Sequence, residues 1–128
     1  MSLRSPLGQV LGRGAAKEGV HHWWLQRLTS LALVPLSIWF LIALLSLPDF
    51  SYDTLTHWAA HVLTALLLIL LALSAAWHSQ LGLRVVIEDY VHASGIRTTM
   101  LILSTFVHVL LAGAATLAVL QLLVRGPA

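Results

Sequence analysis

The chain has 128 residues, 59% of them apolar and 9% charged, with a mean hydropathy of +0.88. A soluble domain carries about a quarter charged residues, so this composition describes a membrane protein and excludes a soluble enzyme or a disordered tail. The absence of cysteine excludes a disulfide-stapled secreted domain, iron–sulfur clusters, thiol redox chemistry and Cys-ligated zinc.

Residues 1–27 carry Arg4, Arg13, Lys17 and Arg27 and lack the short apolar stretch of a secretory signal, so they read as a mature cytoplasmic arm. Residues 28–128 read as a three-helix transmembrane anchor domain. Three charge-free stretches define it: 21 residues from Leu28 to Pro48, 30 from Thr54 to Leu83, and 27 from Thr98 to Val124. A crossing needs roughly 20 residues at about 1.5 Å each, so every stretch holds one crossing and none holds two. The expected helices cover about 28–47, 54–88 and 98–124. Pro35 frees a carbonyl inside the first and is expected to bend it, and Pro48 ends it. The second is expected to extend past the lipid at its C-terminal end, where polar residues cluster. The first loop carries no Lys or Arg, the second, Arg84 to Arg97, carries two, and the tail carries Arg125. By the positive-inside rule the N-terminus and second loop are cytoplasmic and the C-terminus is periplasmic. The fold class is thus an all-α membrane protein with three transmembrane helices. Seven Lys and Arg against five Asp and Glu are spread too thinly to recognise nucleic acid.

Seven histidines are the chief anomaly, since an ionisable group at membrane depth is costly and is first a functional candidate. His21 and His22 precede Trp23 and Trp24, which together also suit an interfacial anchor. His57 and His61, four apart on one helical face, either pair on a metal or form a polar helix end at the headgroups. His92 is a solvated loop residue. His78 and His108 lie within apolar helices, about 9 Å from Arg84 and about 16 Å from Arg97 along their axes. His108, with Ser104 one turn before it, reads as a hydrogen-bonded packing histidine. His78 has Ser74 at i−4 and Gly82 at i+4, small residues that leave a trough where a flat macrocycle can approach while the imidazole reaches its iron. Helix packing around a hydrogen-bonded histidine is an equal account of that face.

Arg27 can pair with a carboxylate or a propionate, or snorkel to headgroups. Arg84 and Glu88 form an i, i+4 pair. Asp89 and Tyr90 stand where the second helix leaves the lipid. A phenol there can hydrogen-bond a quinone carbonyl while the carboxylate orients it or relays protons; an aromatic-belt tyrosine beside a solvated aspartate accounts for the pair as well.

In chain order these residues read Gly19-Val20-His21, Arg27, His78, then Asp89-Tyr90 eleven and twelve residues beyond His78. The set resembles the small haem-b membrane anchor of succinate dehydrogenase, respiratory complex II. The resemblance spans nearly the whole chain, since that family also has three transmembrane helices with the N-terminus inside. It implies that His78 is an axial ligand of a haem b shared with a second membrane anchor of the cytochrome b type, with Ser74 and Gly82 bordering the haem. It further implies that Tyr90 hydrogen-bonds ubiquinone, with Asp89 its neighbour at the site, and that Arg27 and His21 stand at the haem-propionate and quinone rim. His22, Trp23 and Trp24 depart from the pattern, and His57, His61 and His108 match no functional residue of the family. The chain alone is then no dehydrogenase: it anchors the flavoprotein and iron–sulfur subunits to a bacterial inner membrane, rather than a mitochondrial one, and helps pass electrons from succinate to ubiquinone. The competing expectation is a histidine-lined proton or metal conductor. Against it, His61 and His78 are about 25 Å apart along the helix, too far for one relay step.

Overall fold

The computed structural model describes residues 15–125, with side chains from 20 to 124, and is all-helical. Helix α1 covers Ala15–Leu45, a short α2 covers Tyr52–Ala60, α3 covers Val62–Tyr90 and α4 covers Ser94–Arg125. Three of these are long and apolar enough to cross a membrane, over Val20–Leu45, Val62–Tyr90 and Ser94–Val124. Residues 1–14 of the expected cytoplasmic arm lie outside the described residues.

The helices overrun the charge-free stretches. Helix α1 begins at Ala15 rather than near residue 28, and α3 and α4 are separated by only Val91 to Ala93 rather than by a loop from Arg84 to Arg97. Charged side chains mark where the chain leaves hydrocarbon, but Lys, Glu, Arg and Ala are good helix formers and let the helix continue into the headgroup layer. At about 1.5 Å per residue the three long helices span roughly 44–48 Å, near the full bilayer thickness including headgroups. Helix α1 also runs uninterrupted through Pro35, as membrane helices tolerate.

The expected second helix is in fact two. His61 is extended, with φ −70° and ψ 131°, serving as C-cap of α2 and N-cap of α3. Its N–H donates to the Trp58 carbonyl at 3.4 Å, and its own carbonyl accepts from Ala65 at 2.8 Å to start α3. His57 and His61 therefore do not share a face of one continuous helix, and His57 instead lies 3.5 Å from Asp53. Unbroken, residues 52–90 would make a rod of about 58 Å, longer than the bilayer.

Before α2, Asp49 accepts from the hydroxyl of Ser51 at 2.6 Å and from its N–H at 3.0 Å, while the Ser51 hydroxyl oxygen caps Thr54 N–H. These bonds, the Ser51 hydroxyl first, lower the Asp49 carboxyl from 3.8 to about 2. Because the folded value is depressed, the contribution of this cap is present above the ordinary value and is lost as pH falls from 3.8 towards 2.

Helix α3 is central: α1 packs on one side, with Gln26 against His78, and α4 on the other, with Gln80 against Thr105. Helices α1 and α3 are antiparallel, since Trp39 and Phe40 reach Trp58 at one end and Gln26 reaches His78 towards the other. Large apolar side chains point outward, Leu31 being 71% exposed and Leu110 69%, whereas the buried residues include Thr56, Thr64 and Ser104. That inversion suits a lipid solvent, where helices associate through small and hydroxylated residues rather than through a hydrophobic core.

Candidate functional site

Helix α1 carries Gln26, Thr29 and Ser30 at i, i+3 and i+4, a polar stripe in an apolar stretch that one helical face collects. The stripe faces His78 of α3. Thr29 Oγ1 lies 3.0 Å and Ser30 Oγ 3.5 Å from His78 Nδ1, and Gln26 Nε2 lies 3.3 Å from His78 Nε2. The imidazole is half-buried. Sequence reasoning singled out none of these three partners, which are 48 to 52 positions away from His78 along the chain; the i, i+3, i+4 spacing of polar residues in a membrane helix was the available signal.

A Cβ on Gly82 would lie 3.7 Å from Gln26 Nε2, an ordinary van der Waals contact, so the end of the Gln26 side chain lies against this glycine. Ser74 is half-buried on the same helix. The packing account of the small residues around His78 therefore describes the α1-facing side.

Among the described residues, two buried atoms of α1, Gln26 Oε1 and His22 Nε2, have no hydrogen-bond partner. A buried polar atom left unpaired costs about 1–3 kcal/mol; these two stand one turn apart on α1, and Gln26 is the one in contact with His78. The donor set fits a haem on two grounds. His78 supplies an imidazole whose Nε2 is engaged only by a 3.3 Å contact to a three-torsion side chain, and moving the Gln26 amide aside forfeits one weak bond of about 0.5–1.5 kcal/mol. The orphaned Gln26 Oε1 gains nothing by staying.

His108 is different. Its Nδ1 lies 2.7 Å from the Ser104 carbonyl, which can only accept, so Nδ1 carries a proton; its Nε2 then accepts from the Ser79 hydroxyl at 3.2 Å. Both nitrogens are consumed in tying α4 to α3. His92 is exposed in the short loop.

Arg27 sits beside Gln26 and hence at the depth of His78, not at the end of α1. Its guanidinium lies 5.4 Å from the Trp23 ring centroid, and Trp23 meets Trp24 edge-on at 5.1 Å. Such a cation–π contact is worth about 0.5–1 kcal/mol where exposed. His21 is exposed a turn and a half earlier. Asp89 and Tyr90 close the last turn of α3, both exposed, the tyrosine 78% so. Twelve residues separate Tyr90 from His78, about 18 Å along the axis, so α3 spaces the two along one helix and Arg27 lies nearer the histidine. Arg84 donates to Glu88 at 2.8 Å as an exposed pair, worth a few tenths of a kcal/mol, ~0.3–0.5. Among the described residues no group of three or more His, Cys, Asp or Glu gathers to hold a metal.

The profile of the succinate dehydrogenase/fumarate reductase transmembrane subunit family matches residues 1–112. The chain is 31% identical over 99 residues to a succinate dehydrogenase hydrophobic membrane anchor subunit of Rickettsia bellii, covering 77% of this chain and 79% of that one. The corresponding protein of Rickettsia conorii is 34% identical over 94 residues, 70% of this chain and 72% of that one. A succinate dehydrogenase membrane anchor subunit of Porphyra purpurea is 32% identical over 105 residues, 82% and 85% respectively. The chain belongs to the succinate dehydrogenase/fumarate reductase transmembrane subunit family and groups there with the membrane anchor subunits of succinate dehydrogenase.

Proposed function

We propose that this chain is the haem b-binding anchor through which a succinate dehydrogenase delivers electrons to ubiquinone in a bacterial inner membrane. The observation that carries the reading is the His78 imidazole within a long apolar helix, its Nε2 faced by a displaceable Gln26 amide whose buried oxygen has no partner among the described residues. His78 would hold the haem iron together with a residue of a second membrane anchor, and Arg27 and His21 would pair its propionates. A haem bound there supplies one-electron storage.

Tyr90 and Asp89 do the proton work. Ubiquinone takes two electrons and two protons to become quinol; the Tyr90 hydroxyl donates a hydrogen bond to a quinone carbonyl and Asp89 relays protons from the adjoining water. With no cysteine for an iron–sulfur cluster, the electrons come from succinate through a flavoprotein and an iron–sulfur subunit docked at the Tyr90 end. The positive charges of Arg4, Arg13, Lys17 and Arg27 support a cytoplasmic position for that end. A histidine-lined conductor draws no support: His61 is itself the break that ends the short helix carrying His57, and both nitrogens of His108 are engaged.

The test is a reduced-minus-oxidised optical spectrum of the intact complex purified from membranes, with succinate as reductant. A low-spin b-type signal is expected; its absence in a complex that retains this chain overturns the haem reading. Arg27→Ala is expected to lower haem retention or quinone turnover severalfold, measured as haem per complex and quinol formed. Wild-type values for both would leave Arg27 only its headgroup and Trp23 contacts.

A further inference from the structure

Three side chains of α1 lie around the His78 ring, and their other hydrogen bonds favour one tautomer. Thr29 Oγ1 lies 2.9 Å from the Leu25 carbonyl and 3.1 Å from the Gln26 carbonyl. Carbonyl oxygens only accept, so the single hydroxyl proton of Thr29 is committed to them. Its oxygen is left to accept, and the group facing it at 3.0 Å is His78 Nδ1. Ser30 repeats the pattern, its proton committed to the Gln26 carbonyl at 2.7 Å. On the other side of the ring, the Gln26 amide nitrogen has only protons to offer, so His78 Nε2 accepts at 3.3 Å.

We propose that Thr29 is a positioning residue that holds His78 as the Nδ1–H tautomer, so that its Nε2 lone pair is the ligand atom presented for a metal. The functional meaning of this rests on the haem reading of His78, whereas the tautomer itself does not. The opposite tautomer would set Nε2–H against the Gln26 amide protons and a bare Nδ1 against a hydroxyl whose proton is already given away. The Nδ1–H bond to oxygen also fixes the ring plane and raises the basicity of Nε2, as partners of metal-bound histidines do. His108 shows the contrast: it is also protonated on Nδ1, but its Nε2 is taken by Ser79. Among the described residues His78 Nε2 is held only by the Gln26 amide, whose oxygen has no partner.

Two measurements test this. In the full chain, 15N-labelled at histidine and reconstituted without haem in phospholipid bilayers, nitrogen NMR assigned by difference from His78→Ala is expected to show Nδ1 protonated and Nε2 bare. Thr29→Ser should keep that state, and Thr29→Val should give a mixture of tautomers. Protonation on Nε2 in the wild type, or an unchanged pure Nδ1–H form in Thr29→Val, overturns the proposal. In the assembled complex, Thr29→Val is expected to lose haem on the order of 10-fold more readily and to raise its midpoint potential, with Thr29→Ser restoring both. Retention and potential unchanged by Thr29→Val overturn the positioning role. Bare Nε2 in the chain together with a haem-free wild-type complex would sink the haem reading and leave the tautomer standing.

Discussion

Replacing His78 by alanine is expected to abolish the low-spin b-type signal of the assembled complex, either by loss of the haem or by its conversion to a high-spin form. Removing a residue that only hydrogen-bonds a metal ligand costs about 10–100-fold in affinity, so removing the ligand itself should exceed that, and haem per complex is the quantity to measure. The variant has a built-in complication: it leaves the Thr29 oxygen and the Gln26 amide, both paired with His78, without their partner. Co-purification of the flavoprotein and iron–sulfur subunits separates ligand loss from failed assembly. The control is His108→Ala. That substitution breaks the α3 to α4 tie through Ser79 and should lower thermal stability of the complex by about 1 kcal/mol or more, yet leave the spectrum intact, because His108 presents no free nitrogen. An unaltered spectrum in His78→Ala removes residue 78 from the ligand set.

The three spans were legible because burying charge in hydrocarbon is costly enough to empty whole stretches of Asp, Glu, Lys and Arg. Helix ends were not legible by the same rule. Charge reports the lipid boundary, and α1 continues thirteen residues past the expected start at Leu28, back to Ala15, because its sequence favours helix in water as well. The break at His61 had no proline or glycine to announce it; it follows from the length that residues 52–90 must fit. His78 stood out as an ionisable group in an apolar helix, but its surroundings rest on contacts with α1 that local spacing on α3 cannot reveal. Gly82 is the instructive case: its smallness suggested a space for a ligand, and the neighbour found against it, the end of the Gln26 side chain, belongs to another helix. Polar residues on a second helix were the missing half of the site, and Gln26, Thr29 and Ser30 were visible as a stripe awaiting a partner.

Tyr90→Phe is expected to slow ubiquinone reduction by about 10²-fold or more, the lower range of what a positioned proton donor contributes, while succinate oxidation by an artificial dye stays near wild type. The assay pair works because of where the tyrosine sits. It ends α3 with 78% of its surface exposed, so the chain itself loses no packing or internal hydrogen bond when the hydroxyl goes, and the flavin and iron–sulfur chemistry upstream is untouched. Dye reduction draws electrons before they reach the quinone; quinone reduction, in the proposed reading, needs the phenol. The 18 Å or so of helix between Tyr90 and His78 adds a second discrimination, since a defect confined to the phenol should leave the b-type spectrum unchanged. Asp89→Asn should impair the same step more mildly at neutral pH, because water can replace a relay more readily than a hydrogen bond aimed at a carbonyl. If Tyr90→Phe depresses both assays equally, the hydroxyl serves assembly, and the quinone has to be sought at another residue.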